Sequence, residues 1–165
     1  MHVYLLRHGH AEEPGLGRPD AARALTDEGR ERLERASPTW RRLVTTPDLL
    51  LCSPLLRARQ TAERFADAVR CHGAPRIEAS LTPDGDVAAT LALLEAENRS
   101  GTRSVAVVGH EPHLGYLFGL LVTGHPRLSI PLKKGMLVGL EMESRASSLA
   151  NLRFAIAQRS AGELA

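Results

Sequence analysis

Three short, largely apolar runs recur along the chain, each stopped by polar or turn-forming residues: Val3 to Leu6 before Arg7-His8-Gly9, Leu49 to Cys52 before Ser53-Pro54, and Ser104 to Val108 before Gly109-His110. Runs of this length and composition read as buried strands. Between them the pattern changes to helical spacing. Thr26 is the expected N-cap of a helix running towards Leu43, with Asp27 and Glu28 in its first turn and Leu33 and Trp40 on its apolar side. Segments 86–98 and 113–122 are also expected as helices, while Met136 to Glu141 and Leu152 to Ala157 are expected as closing strands. Ser53 before Pro54 and Glu111 before Pro112 each predict a cap ahead of a proline at the first helical position. Strands alternating with helices predict an α/β sandwich around a mostly parallel central sheet.

A chain of 165 residues with 43% hydrophobic content supports one domain, spanning 1–165. The net charge of +2 is interleaved with 19 acidic residues, so no basic stripe points to nucleic acid. Cys52 and Cys71 lack paired spacing and are expected as free buried thiols, which fits a reducing cytoplasm. The first apolar run ends at Arg7, too soon for a leader or membrane span, and no membrane partner is expected. The last few residues are expected to be disordered.

In a sheet of this kind ligands are received at the carboxyl ends of the strands. Arg7 and His8 follow the first strand, His110 follows the third, and Arg57 falls in the first turn of the helix after the second. Three segments thereby deliver two arginines and two histidines to one place. A neutral imidazole is a competent nucleophile, and planar guanidinium groups suit bidentate contact with phosphate oxygens. Arg7 and Arg57 would disfavour protonation of His8, whereas bound phosphate would favour it; a backbone carbonyl on one ring nitrogen would fix the useful tautomer. A protonated His110 would add a further charge-assisted donor. Taken singly, each arginine would be an ordinary surface ion pair and each histidine a hydrogen-bonded structural residue; their placement together changes that reading.

The ordered set "RHG" at 7–9, "SPLLRARQTAE" from Ser53 and "GHEP" from Gly109 resembles the histidine phosphatase superfamily. With "RALTDEGRERL" and "LTPDGDV", the chain looks most like the small bacterial phosphohistidine phosphatases of the SixA type. The resemblance implies a three-layer α/β/α histidine phosphatase (phosphoglycerate mutase-like) fold. It also implies catalysis by His8, His110, Arg7 and Arg57 through a phosphohistidine on His8, with Arg7, Arg57 and His110 holding phosphate. His10 departs from the pattern, where relatives often carry an acidic residue.

No acidic residue fills the general-acid segment of larger relatives. Asp84 and Asp86 are possible proton donors, although Asp86 reads better as a helix cap. The shortage favours a phosphohistidine substrate, since a leaving imidazole needs less protonation than an alkoxide. The expected partner is therefore a phosphorylated protein, a phosphohistidine-bearing signalling or phosphotransfer protein, reached through a shallow pocket. A small-molecule phosphomonoesterase and a non-catalytic phosphoprotein-binding module are the alternatives. His10 and His113 lie near enough in sequence to contact substrate, but their spacings to His8 and His110 do not match zinc-hydrolase motifs, so no metal and no cofactor is expected. Gln60 and Thr61 are expected to support packing.

Overall fold

The computed structural model describes residues 1–15, 17, 19–142 and 147–165. Six strands form one sheet: β1 (His2–Arg7), β2 (Leu49–Cys52), β3 (Arg76–Ile77), β4 (Ser104–Gly109), β5 (Leu137–Met142) and β6 (Ala150–Ile156), in the order β3-β2-β4-β1-β5-β6. The pairs β1–β4, β2–β4 and β2–β3 are parallel, while β5 runs antiparallel to both β1 and β6. The sheet is therefore mixed, with β5 as its reversed strand. Among the described residues five α-helices cover it: α1 (Asp27–Leu43), α2 (Leu56–Val69), α3 (Val87–Ser100), α4 (His113–Thr123) and α5 (Gln158–Glu163).

Side-chain alternation along the strands divides the interior into two cores. Tyr4 and Leu6 of β1, with Ala106 and Val108 of β4, face Leu33 and Trp40 of α1, Phe65 of α2 and Ala161 of α5. Val3, Leu5, Val105 and Val107 face Leu94 of α3 and Leu114, Leu117 and Leu121 of α4. The result is the expected α/β/α layering. Strands buried on both faces read as continuous apolar runs, which is why β1, β2 and β4 are visible in the sequence.

Thr26 caps α1 by accepting from Gly29 N at 3.0 Å, as expected. Gly29 has a second task. A Cβ there would lie 2.1 Å from the His10 carbonyl oxygen, so only glycine lets α1 approach the segment that follows β1. The two proline junctions differ from expectation. The helix α2 begins at Leu56 with Leu55 as its N-cap, leaving Pro54 outside the helix. The helix α4 begins at His113 with Pro112 as its N-cap, so Pro112 is not the first helical residue. The preceding polar side chains still reach the helix starts, Ser53 Oγ accepting from Leu55 N and Glu111 from Gly115 N, while each also holds a tertiary partner. The chain end also differs: α5 packs on α1, with Thr39 Oγ1 donating to Ala161 O at 2.7 Å. Both cysteines are free thiols, Cys52 buried and Cys71 only partly so, and burial raises the Cys52 pKa to about 12. Among the described residues no helix is long and apolar enough to cross a membrane.

Candidate active site

The parallel strands β2, β4 and β1 lie side by side, so the residues leaving their carboxyl ends are neighbours. Ser53 N donates to Val108 O and His8 N donates to Gly109 O, both at 3.0 Å, extending the ladder one step beyond the strands. Ser53, His110 and His8 thus share one rim. The His8 and His110 ring centroids are 4.9 Å apart, and the two residues are 6% and 1% exposed.

His8 Nδ1 lies 2.7 Å from Gly9 O. A carbonyl only accepts, so the ring donates from Nδ1 and keeps its lone pair on Nε2. Burial lowers its pKa from 6.5 to about 3, with Arg57, Arg7 and Lys134 adding like-charge repulsion against the Gly9 bond. His8 is a neutral, oriented base. Gly9 is held in turn by Thr61, whose Oγ1 accepts from Gly9 N at 3.1 Å and donates to Arg57 O at 2.7 Å. Gln60 Oε1 accepts from Leu25 N at 2.7 Å. The two side chains expected to support packing do so through polar ties.

His110 Nε2 bonds Ser53 Oγ at 2.8 Å, and Ser53 Oγ also accepts from Leu55 N at 3.3 Å. The residue expected to cap α2 therefore anchors the second histidine. Burial, followed by His8 and Arg57, lowers the His110 pKa to about 2. Its Nδ1 is buried without a partner. In the absence of an anion this ring is neutral rather than cationic.

Arg57, 4% exposed, donates from Nη1 to Asp20 O and from Nη2 to Asp20 Oδ2, each at 2.9 Å. Arg7 Nη1 donates to Leu132 O at 2.6 Å. In both guanidinium groups the buried Nε has no partner. Glu111, expected as a cap of α4, lies beside Arg7; its Oε1 accepts from Leu132 N at 3.0 Å and its carboxylate also accepts from Gly115 N, while burial raises its pKa. It ties the 132 peptide that fixes Arg7 to the start of α4.

Asp86 caps α3 by accepting from Ala88 N at 2.8 Å, and Asp84 is exposed in the turn before it. His113 is a buried structural residue bonded at Nε2 to Thr90 Oγ1, 3.1 Å, and at Nδ1 to Gly85 O, 3.3 Å. Both nitrogens are used within the fold, so His113 is not in the pocket. His10 turns towards α1, accepting from Arg32 Nη1 at 3.2 Å. Sequence reasoning missed Asp20, Ser53 as the His110 anchor, the Leu132 carbonyl and Lys134. Strand direction, which the sequence does not display, brings in the last two: because β5 is reversed, its entry segment arrives beside the exit of β1, where Gly135 N bonds Arg7 O and His8 O, both at 3.1 Å.

Burial of these imidazoles makes stability pH-dependent. His8, His10, His110 and His113 all have lowered pKa values, so below 6.5 the unfolded chain binds protons that the folded chain refuses. Stability is fullest above that value and is lost as pH falls towards the folded values, about 3 for His8 and about 2 for His110. Tm is expected to drop by roughly 5–10 °C between pH 7.5 and 5. A Tm that stays level across that interval would contradict buried neutral rings.

The sequence profile of the histidine phosphatase superfamily (branch 1) matches residues 3–82. The chain is 33% identical over 124 residues to the phosphohistidine phosphatase SixA of Escherichia coli (strain K12), covering 75% of this chain and 76% of that one. An uncharacterized protein of Picosynechococcus sp. is 34% identical over 140 residues, covering 85% and 84%. The structure of the protein histidine phosphatase SixA complexed with tungstate superposes with a TM-score of 0.87 at 26% identity, over 97% of this chain and 99% of that one. The alpha-ribazole phosphatase of Shigella flexneri, at 19% identity and a TM-score of 0.68 over 96% and 97%, shares the fold.

Proposed function

The chain belongs to the histidine phosphatase superfamily, and on that premise we propose that it hydrolyses a phosphohistidine carried by a signalling or phosphotransfer protein, with His8 as nucleophile. The observation that carries this reading is a neutral His8 with a fixed tautomer beside three unpartnered buried nitrogens, Arg7 Nε, Arg57 Nε and His110 Nδ1. The two arginine Nε–H groups are unmet donors, costly in a buried site, and a phosphoryl group supplies acceptors for them.

His8 Nε2 attacks phosphorus with its lone pair. The bond from phosphorus to the substrate imidazole breaks, the electron pair leaves with that nitrogen, and the leaving imidazole takes up a proton. Water then attacks the phosphorus on His8, releasing inorganic phosphate and restoring the ring. Arg7 and Arg57 stabilise charge on the equatorial oxygens throughout, a preorganised form of electrostatic catalysis. His110 Nδ1 adds a donor when the anion favours its protonation, with Ser53 holding the opposite nitrogen. Asp84 is the proton donor to consider in this scheme, as the Asp86 side chain is occupied at the start of α3. The E. coli relative is a phosphohistidine phosphatase, which favours this substrate over a sugar phosphate. The cytoplasm is the proposed location, in keeping with the free thiols of Cys52 and Cys71.

A substrate panel tests the reading. A phosphohistidine protein should lose radiolabel much faster than a sugar phosphate loses phosphate, and vanadate should inhibit. Sugar phosphate turnover equal to or above that of the phosphoprotein would assign a small-molecule phosphomonoesterase instead. Binding of the phosphoprotein without turnover would assign a phosphoprotein-binding module.

A further inference from the structure

A groove of about 460 Å³ runs between α1 and α5, lined by Arg32, Arg35, Gln158, Arg159, Gly162 and Glu163. Its head adjoins the catalytic rim. His10, two residues after His8, accepts from Arg32 at 3.2 Å, and Lys134 acts electrostatically on both the His8 and the His10 ring. Three guanidinium groups line the groove. Arg159 is paired with Glu163 at 2.9 Å and Arg32 with Glu28, both along their own helices. Arg35 is exposed and has no ion pair among the described residues.

Gln158 supplies the second observation. It is 5% exposed, its amide engages the His10 ring, and its other amide atom is buried without a partner. A buried amide with an unmet atom is costly inside a fold and is satisfied by an incoming polar chain. Together the unmet amide and the unpaired cation call for carboxylates and peptide groups. Glu163 on the groove wall and the absence of aromatic residues from its lining suit a protein segment better than a polynucleotide.

We propose that the α1–α5 groove docks an acidic segment of the phosphorylated protein substrate, placing its phosphohistidine over His8. The proposal rests on the protein-phosphohistidine reading above and names the chemistry of that partner. Exposed charges in such a groove steer and orient the partner more than they hold it, so the effect is moderate and salt-dependent.

Two measurements test it separately. In the first, a short fluorescein-labelled peptide rich in Asp and Glu, without phosphohistidine, is titrated with the protein at low salt and followed by anisotropy. Binding is expected, weakened about fivefold by Arg35→Glu, weakened less by Arg35→Ser, and lost at high salt, with melting curves confirming that the variants fold. No binding, binding indifferent to Arg35→Glu, or tighter binding of a single-stranded oligonucleotide would overturn the proposal. In the second, phosphohistidine peptides with acidic or serine flanks are compared. The acidic one should show a kcat/KM about fivefold higher, and Arg35→Glu should erase the difference; equal rates for the two in the unmodified protein would overturn it. If neither peptide is hydrolysed while the acidic peptide still binds through Arg35, the proposed phosphohistidine activity fails and the docking surface stands.

Discussion

His8→Ala is expected to lower turnover by roughly 10⁴–10⁶-fold, the scale seen when a covalent nucleophile is removed. The substitution deletes the attacking Nε2 and the 2.7 Å bond from Nδ1 to Gly9 O. Loss of that one bond costs about 1 kcal/mol, so the variant folds and Tm changes little beside the collapse in rate. The protein as it stands, quenched during turnover of radiolabelled substrate, should carry an acid-labile label that His8→Ala lacks. A variant retaining a tenth of the activity would show that phosphorus is attacked by another group. His110→Ala would then be the next to examine, since its ring centroid is 4.9 Å from that of His8.

Arg57→Lys should reduce kcat/KM by about 10²–10³-fold although the charge is kept. Arg57 is 4% exposed and its guanidinium group is held by Asp20 through both terminal nitrogens, which fixes where the unpartnered Nε–H points. An ammonium on a flexible stem loses that fixed geometry and the planar match to phosphate oxygens. Arg7→Lys should behave alike, because Arg7 is tied at Nη1 to Leu132 O and likewise keeps a buried free Nε. The loss should be similar for a phosphohistidine peptide and for p-nitrophenyl phosphate, as the two share only the phosphoryl group. A decrease confined to the peptide would move Arg57 from the phosphate to the partner surface. The Asp20 carboxylate is about half exposed, so losing its arginine partner leaves a solvated charge and a modest change in stability.

Much of this architecture could be read from local pattern. The strands β1, β2 and β4 announce themselves because both faces are buried, and α1 because Thr26, Asp27 and Glu28 mark its start within a few residues. Other elements were hidden by size or by competing contacts. The two-residue β3 and the six-residue α5 are too short to carry a period, and α5 is held by α1 rather than by its own propensity. Ser53 and Glu111 look like caps, since each precedes a proline, and each does accept from a backbone N–H at the start of its helix, Leu55 N and Gly115 N, but His110 and the 132 peptide share them, which no local pattern shows. His113 sits three residues from His110 yet is drawn into the α3–α4 layer by Thr90 and Gly85.

By itself the sequence determined the alternation of strands and helices and marked Arg7, His8, Arg57 and His110 as candidates, because hydrophobic period and residue chemistry are properties of neighbouring positions. Only the tertiary structure decided that His8 is neutral and donates from Nδ1, that Asp20 and Leu132 aim the two arginines, and that α1 and α5 enclose a cationic groove. Those properties depend on burial and on the approach of segments far apart in the chain. Strand order and the reversal of β5 fix those approaches, and the linear order of residues does not display them.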